Sequence, residues 1–254
     1  MKLAQQGAGV GQLENTMKPS QTVVLIVLSS FALLVTSACN KSPADNAAKM
    51  SKPPEPIVVT STPAVRPEAD RKIILAAAER FENLTEAAFS GAQATTGALA
   101  LAHRESEAAK AVLDPNEAAT IAEKLAKIDA AVKSGVAADT ALASMEAYRT
   151  LIMASNGEGN IPVQVGLLDY AGFRYWANAK ASPPRWDEIA AAQFFAQGQW
   201  ALVMHKISDP ALVKKFNEAL EAMDKAILAK DSQAAVVAAT NEMDLVDELE
   251  KQFV

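Results

Sequence analysis

Few residues in this sequence have the types and spacing that catalysis or metal binding requires. The 254 residues include two histidines, His103 and His205, and one cysteine, Cys39. Hydrolytic enzymes of the common kinds place a histidine beside a nucleophile, and neither histidine lies in such a motif. No phosphate-binding loop can be identified either. We therefore expect a protein that is not an enzyme and carries no cofactor.

Haem is the cofactor that a helical protein with several methionines would most plausibly hold. The candidate ligands are Met145, Met153, Met204, Met223 and Met243. The Cys-x-x-Cys-His motif for covalent attachment is absent, and methionines at this spacing usually fill a core. We expect no haem, a core or edge position for His103 with a neighbour that satisfies it, and a solvated or interface position for His205.

The last helix predicted from the sequence is crowded with acidic residues, which are Glu242, Asp244, Asp247, Glu248 and Glu250. Carboxylates can bind metals, but di-iron bundles also need Glu-x-x-His pairs, and the sequence has none. An acidic run is usually a solvated face, so no metal is expected. Because Glu242, Asp247 and Glu250 project near an apolar stripe, we expect one of them to be partly buried and paired.

The segment before the lone cysteine has the order of an export signal. Lys18 precedes an apolar run from Thr22 to Val35, and small residues stand directly before Cys39. The run is shorter than the ~20 residues that a membrane-spanning helix needs. A charged start, a short apolar stretch and small residues at the cleavage point indicate a signal peptide.

Small residues just before a lone cysteine resemble the lipobox of bacterial lipoproteins, although Thr36 stands where that family prefers leucine. The resemblance implies that residues 1–38 are removed and that Cys39 carries a lipid anchor. Residues 1–16 add nothing to such a signal, so Met17 is an alternative start. Asn40 follows the cysteine, and lipoproteins without Asp there resemble those sorted to the outer membrane. We expect a protein of the bacterial cell envelope that faces the periplasm.

The segment after the anchor is rich in proline, and six of the twelve prolines lie in residues 40–67. This composition favours extended conformations over a packed core, so residues 39–67 are expected to form a disordered stalk. Without residues 1–38 the chain has 22 basic and 29 acidic residues, a net charge of −7. An acidic surface repels phosphates, so we expect no nucleic acid partner. The expected partners are the membrane, through Cys39, and another envelope protein.

From Glu68 onward the sequence predicts helices and no strands, because Ala, Leu, Glu and Lys dominate and the prolines lie where helices begin. The predicted helices are 68–113, interrupted near Gly91 to Gly97, and 115–134, 137–155, 162–181, 184–207, 210–229 and 232–252. Short connections make neighbouring helices antiparallel. The predicted fold is an all-α antiparallel helical bundle, arranged as two tandem up-and-down four-helix units, 68–156 and 161–254.

An internal repeat would explain two such units. When Asp114-Pro115 is laid over Asp209-Pro210, the apolar seams of the two following helices coincide residue by residue. The alternative is two unrelated alanine-rich helices that share a heptad pattern and a common cap. The match fades after Ala143, and both interpretations stay open.

Aromatic residues concentrate in one segment, since eight of the fourteen lie in residues 170–200. The predicted helix 184–207 is apolar nearly all round, which is typical of a helix buried on every side. We expect it to be the most buried helix and to lie between the two halves. The aromatic segment is either core or a ligand or partner surface at that junction. The candidate surface residues are Tyr170, Phe173, Trp176, Phe194, Phe195 and His205.

These observations favour a lipid-anchored helical binding or scaffold protein over two alternatives. The first alternative is a carrier of a small apolar ligand or metal at the junction of the bundles. The second is an enzyme, for which the sequence offers no motif.

Replacing Cys39 with Ser should abolish lipid attachment, because a hydroxyl does not replace the thiol in lipoprotein acylation. Metabolic labelling with a fatty acid should mark the wild-type chain and leave Cys39→Ser as an unlabelled precursor. Equal labelling of both chains would contradict the anchor.

Overall fold

The computed structural model describes residues 66–156 and 161–253, and this part of the chain is all-α with no strand. The predicted fold class is thereby confirmed. The helices are α1 Glu68–Ala87, α2 Ala92–Lys110, α3 Pro115–Ser134, α4 Ala137–Ser155, α5 Val163–Ala179, α6 Trp186–Val203, α7 Pro210–Ala229 and α8 Ser232–Glu250. A 3-10 turn, Met204–Lys206, extends α6. The predicted signal peptide, Cys39 and nearly all of the stalk lie outside the described residues.

Capping residues determine where α3 begins, as the sequence predicts. The Asp114 side chain accepts hydrogen bonds from the backbone N–H groups of Asn116 and Glu117 at 2.8 and 2.9 Å. The Glu117 carboxylate accepts in return from the Asp114 N–H at 2.9 Å, which completes a capping box. Pro115 occupies the first helical position, where no N–H is needed.

The predicted interruption of the first long helix is also confirmed. Helix α1 ends at Ala87, and α2 begins after Gly91, whose φ of 107° is accessible to glycine at little cost. Helix α7 begins as α3 does, with Asp209 accepting from the Ala211 N–H at 2.8 Å and Pro210 at the first position.

The helices pair in the same pattern in each half of the described chain. Helix α1 packs on α2 and α4, and α3 packs on α4. In the same way α5 packs on α6 and α8, and α7 packs on α8. Helices α4 and α5 join the halves, and one continuous hydrophobic core runs through both. Because the described residues form one compact unit, separate tandem units are not confirmed, and the internal repeat stays a prediction.

The apolar seams read from the sequence lie in this core. Ile121 and Ile128 of α3 are fully buried, as are Phe216 and Met223 of α7. Each seam places apolar groups along one face of its helix, where neighbouring helices cover them.

Helix α5, rather than α6, is the most buried helix of the second half, so the prediction for 184–207 is wrong. Eleven of the 17 residues of α5 are buried, against eight of the 18 residues of α6. Helix α5 contacts three helices, α4, α6 and α8, whereas α6 packs mainly on α5 and α7. Helix α6 therefore has more apolar surface than its neighbouring helices cover.

The first described residue ties three helix ends together. The Arg66 guanidinium donates to both carboxylate oxygens of Glu117 at 2.9 and 2.7 Å. It also donates to the carbonyl oxygens of Val112 and Ala154 at 2.6 and 2.9 Å. Arg66 thus joins the chain entering α1 to the end of α2, the start of α3 and the end of α4.

Truncating Trp200 to Ala should destabilise the protein by about 3–5 kcal/mol, the usual cost of removing a large core aromatic. Its ring stacks on Phe216 with a centroid distance of 4.3 Å, and its Nε1 donates to the Asn217 side chain at 2.7 Å. Phe194→Ala, on the same helix, is the matched control. Phe194 is 55% exposed, so its truncation should cost less than about 1 kcal/mol. Chemical denaturation measures both, and equal losses would contradict the difference in burial.

Candidate functional site

Three of the six candidate surface residues are buried, and two of these, Tyr170 and Phe195, meet at the contact of α4, α5 and α6. Their rings meet edge to face at 5.6 Å, and the Arg149 guanidinium lies 5.4 and 5.6 Å from the two ring centroids. The Tyr170 hydroxyl donates to Glu146 at 2.6 Å and accepts from Arg174 at 3.1 Å. Burial raises the pKa of Tyr170 to about 12, although the nearby Arg174 opposes the shift. These contacts link α4, α5 and α6, although Nε of Arg174 is buried without a hydrogen-bond partner.

Phe173 and Trp176 lie on another side of α5, beside the connection between α1 and α2. Trp176 contacts Phe89 edge to face at 4.9 Å and Phe173 at 6.4 Å. The Lys180 ammonium lies 4.1 Å from the Trp176 ring centroid and 4.5 Å from that of Phe89. Burial lowers the pKa of Lys180, and Glu86 partly offsets this. The Lys180 ammonium makes cation–π contacts with both rings and covers the edge of the core at this point.

Phe194 and His205 remain exposed on the outer side of α6. Leu202 of the same helix is 41% exposed, compared with 55% for Phe194. A side chain at Gly198 would find no atom within 4 Å. We define the α6 face by the exposed or half-exposed residues on the side of Phe194, which are Asp187, Ala190, Ala191, Phe194, Gly198, Ala201, Leu202 and His205. Glu188 and Gln197 are also exposed and flank this face, which is itself mostly apolar with Asp187 and His205 at its ends.

A set of carboxyl groups on α1, α5 and α8 lies inside the junction of the two halves. The Tyr148 hydroxyl of α4 donates to Asp169 at 2.9 Å. Burial and the charge of Glu82 raise the pKa of Asp169, while the Tyr148 hydrogen bond opposes the shift. Burial and neighbouring carboxylates, Glu86 first among them, raise the pKa of Glu82 to about 7.

Glu242 is the most deeply enclosed member of this set. It is fully buried, and neither of its carboxylate oxygens has a hydrogen-bond partner. Burial, reinforced by the nearby Asp169, raises its pKa well above the ordinary value. The expectation that an acidic residue of the last helix would be at least partly buried is confirmed by Glu242, and Glu250 of the same helix is half-buried.

Gly172 makes this burial possible. The Glu242 carboxylate lies against the α5 backbone at Gly172, where a Cβ would overlap Glu242 Oε2 and would lie 2.6 Å from Cγ of Met243. Any larger residue would force these two α8 side chains to move. The present packing of α8 on α5 therefore depends on glycine at this position.

Two further features are a histidine–aspartate pair and a groove between two helices. His103 Nε2 lies 2.8 Å from Asp129 Oδ1, and both side chains are partly exposed, which confirms an edge histidine satisfied by a neighbour. A groove of about 590 Å³ between α7 and α8 is lined mainly by alanines, with Val237 at its wall. Among the described residues no group of His, Cys, Asp and Glu side chains could hold a metal ion.

No protein-family model, curated protein or solved structure matches this chain. Within the described ranges, no helix has the length and apolar character needed to cross a membrane.

The sequence interpretation named the aromatic segment as a whole and did not separate its buried residues from its exposed ones. It did not single out Gly198, although a glycine one turn from an aromatic residue within a helix is an available signal. It also missed Asp169, whose signal is a lone charge in the otherwise apolar first half of α5.

Replacing Glu242 with Gln should stabilise the protein increasingly as the pH rises. The pKa of Glu242 is higher in the folded than in the unfolded state, so its neutral form stabilises the fold fully below its ordinary pKa of 4.5. That stability is lost as the pH rises above 4.5 toward the folded pKa. One such group changes the free energy of unfolding by at most about 1.4 kcal/mol per pH unit, and Gln removes this dependence.

Urea denaturation between pH 4.5 and 8 measures the effect, with Asp244→Asn on the exposed side of α8 as the control. The free-energy difference between Glu242→Gln and wild type should grow with pH, and that for Asp244→Asn should not. A difference independent of pH would mean that Glu242 is not held neutral in the fold.

Proposed function

We propose that this chain is a lipid-anchored helical binding or scaffold protein of the bacterial cell envelope, held at the outer membrane and facing the periplasm. The sequence before Cys39, which resembles a lipobox, supports the anchor. The proline-rich residues 40–67 support a spacer that holds the folded part away from the lipid. In this proposal the chain acts by contact with another protein and carries out no reaction.

The observation that carries the binding role is the exposed apolar surface of α6. Side chains such as Phe194 and Leu202 lose favourable burial when they face water, at roughly 25 cal/mol per Å² of apolar area. Contiguous apolar patches of this kind mark interaction sites. Aromatic residues are also enriched among those that contribute most to protein–protein binding. Of the six candidates from the sequence, Phe194 and His205 are the ones that a partner could reach.

A second proposed function is the carriage of a small apolar ligand or metal at the bundle junction. The aromatic residues there, including Tyr170, Phe173 and Phe195, are packed against charged and apolar neighbours. The alanine-lined groove between α7 and α8 is a concave apolar surface that favours an apolar ligand, so the ligand site in this proposal is the groove rather than the junction. An environment-sensitive dye should fluoresce on binding to the wild type and should bind less to Val237→Glu. No dye binding by the wild type would contradict the proposal.

The binding role can be tested with a photo-crosslinking amino acid placed at position 194 of the full chain in living bacteria. We expect adducts with a protein partner, because this side chain lies at the centre of the α6 face. The control places the same amino acid at Leu228, an apolar residue of α7 that is 84% exposed. If position 194 captures no more protein than position 228, the α6 face is not a binding surface and the proposal fails.

A further inference from the structure

The α6 face has a glycine whose presence nothing within the described chain explains. Glycine in a helix interior is about 1 kcal/mol less favourable than alanine, and it is retained where another backbone approaches closely. At Gly172, side chains of α8 occupy the space that a Cβ would take. At Gly198, as at Gly97 of α2, no atom lies within 4 Å of that position, so the glycine is informative only together with the side chains around it.

The same face has a projecting side chain one turn away. Successive residues of an α-helix are rotated by about 100°, so Phe194 and Gly198 lie nearly above one another on the solvent side. A large ring that is 55% exposed thus stands beside a position with no side chain. Their shapes complement each other, but one copy cannot bring its own ring over its own glycine.

We propose that the α6 face binds a second copy of this chain, with the two α6 helices antiparallel and crossing level with Ala196. In a two-fold symmetric interface, a contact of one residue with another is repeated with the copies exchanged. Phe194 of each copy then covers Gly198 of the other. The proposal rests on the proposed binding function of the α6 face and names its partner.

The rest of the face agrees with this arrangement. Ala190 comes within one residue, about 1.5 Å, of the level of Ala201 of the other copy, and Ala191 equally close to the level of Leu202, so small residues line the crossing. Asp187, in the first turn of α6, comes level with His205 in the turn after its end. A carboxylate then faces an imidazole that can hydrogen-bond to it at both ends, and the antiparallel helix dipoles are favourably oriented. A parallel arrangement would bring Asp187 beside Asp187 instead.

The interface would be small, because a single helix from each copy supplies it. Interfaces below about 1,200 Å² are typical of weak or transient association. Anchoring both copies to one membrane surface would raise their effective concentration and favour the dimer. We therefore expect the association to be strongest for the lipid-anchored protein.

Disulfide trapping tests this geometry in bacteria that express two differently tagged full-length chains. One chain carries Ala190→Cys and the other carries Ala201→Cys, at positions that are both exposed. We expect a mild oxidant to join the two chains, because antiparallel crossing brings these residues nearly level. Two Ala190→Cys chains should form at least tenfold less disulfide, since their cysteines would be ~18 Å apart along the helices at 1.5 Å per residue, beyond disulfide reach. Chains with unaltered α6 report any bond made by Cys39.

Gly198→Leu provides a second variant that separates association from folding. Its side chain enters open space in the single copy, and leucine favours a helix more than glycine does. Thermal stability should therefore be equal or higher, while the trapped dimer should fall at least tenfold because leucine blocks the Phe194 ring. An unchanged yield of trapped dimer in this variant would overturn the proposed contact.

The outcomes distinguish this inference from the proposed function. Absence of the Ala190–Ala201 disulfide, or an equal yield from two Ala190→Cys chains, overturns the antiparallel dimer. If the photo-crosslinker at position 194 then captures a different protein, the binding function stands and only the identity of the partner is wrong. If position 194 captures nothing beyond its control, both fail.

Discussion

The close packing of α8 on α5 at Gly172 is the contact on which the arrangement of the helices most depends. Helix α5 packs on α4, α6 and α8, so it links the two halves through a continuous core. A bulkier residue at 172 would displace the Glu242 side chain and Met243 together. The core has no internal disulfide to support it, because the chain has one cysteine. Tight helix packing must therefore provide the cohesion that a cross-link supplies in disulfide-containing proteins.

The same packing explains why carboxyl groups inside the junction favour their neutral forms. Tight contact between α5 and α8 excludes water from Glu242 and provides no donor in its place. An ionised carboxylate in such surroundings would cost several kcal/mol, so binding a proton is the cheaper solution. Asp169 is less enclosed and receives a hydrogen bond from Tyr148, which makes its charged form more tolerable. Apolar packing thus stabilises the junction, and ionisation of its buried carboxyl groups at higher pH destabilises it.

Most of the fold could be predicted from the sequence because local signals specify the ends of the helices. Asp114 with Pro115, and Asp209 with Pro210, begin helices at the predicted residues, and Gly91 separates α1 from α2. The relative burial of α5 and α6 could not be predicted in this way. Both helices are rich in apolar residues, and α6 is apolar nearly all round, so periodicity does not reveal which side neighbours cover. That side depends on how many helices pack against each, which is a property of the tertiary arrangement.

The candidate site could be predicted only as a segment for the same reason. Tyr170 and Phe195 are core residues because α4 covers them. Its Arg149 lies over the Tyr170 ring, and its Glu146 accepts a hydrogen bond from the Tyr170 hydroxyl. Phe194, adjacent to Phe195 in sequence, is rotated by about 100° around the helix and points to solvent. Glycine within a helix is a further signal, because close contact can offset its cost. Gly172 has such a contact within the chain, whereas Gly97 and Gly198 have no atom within 4 Å of the Cβ position. A glycine in the sequence therefore does not by itself reveal which helices pack closely, since that also depends on the tertiary arrangement.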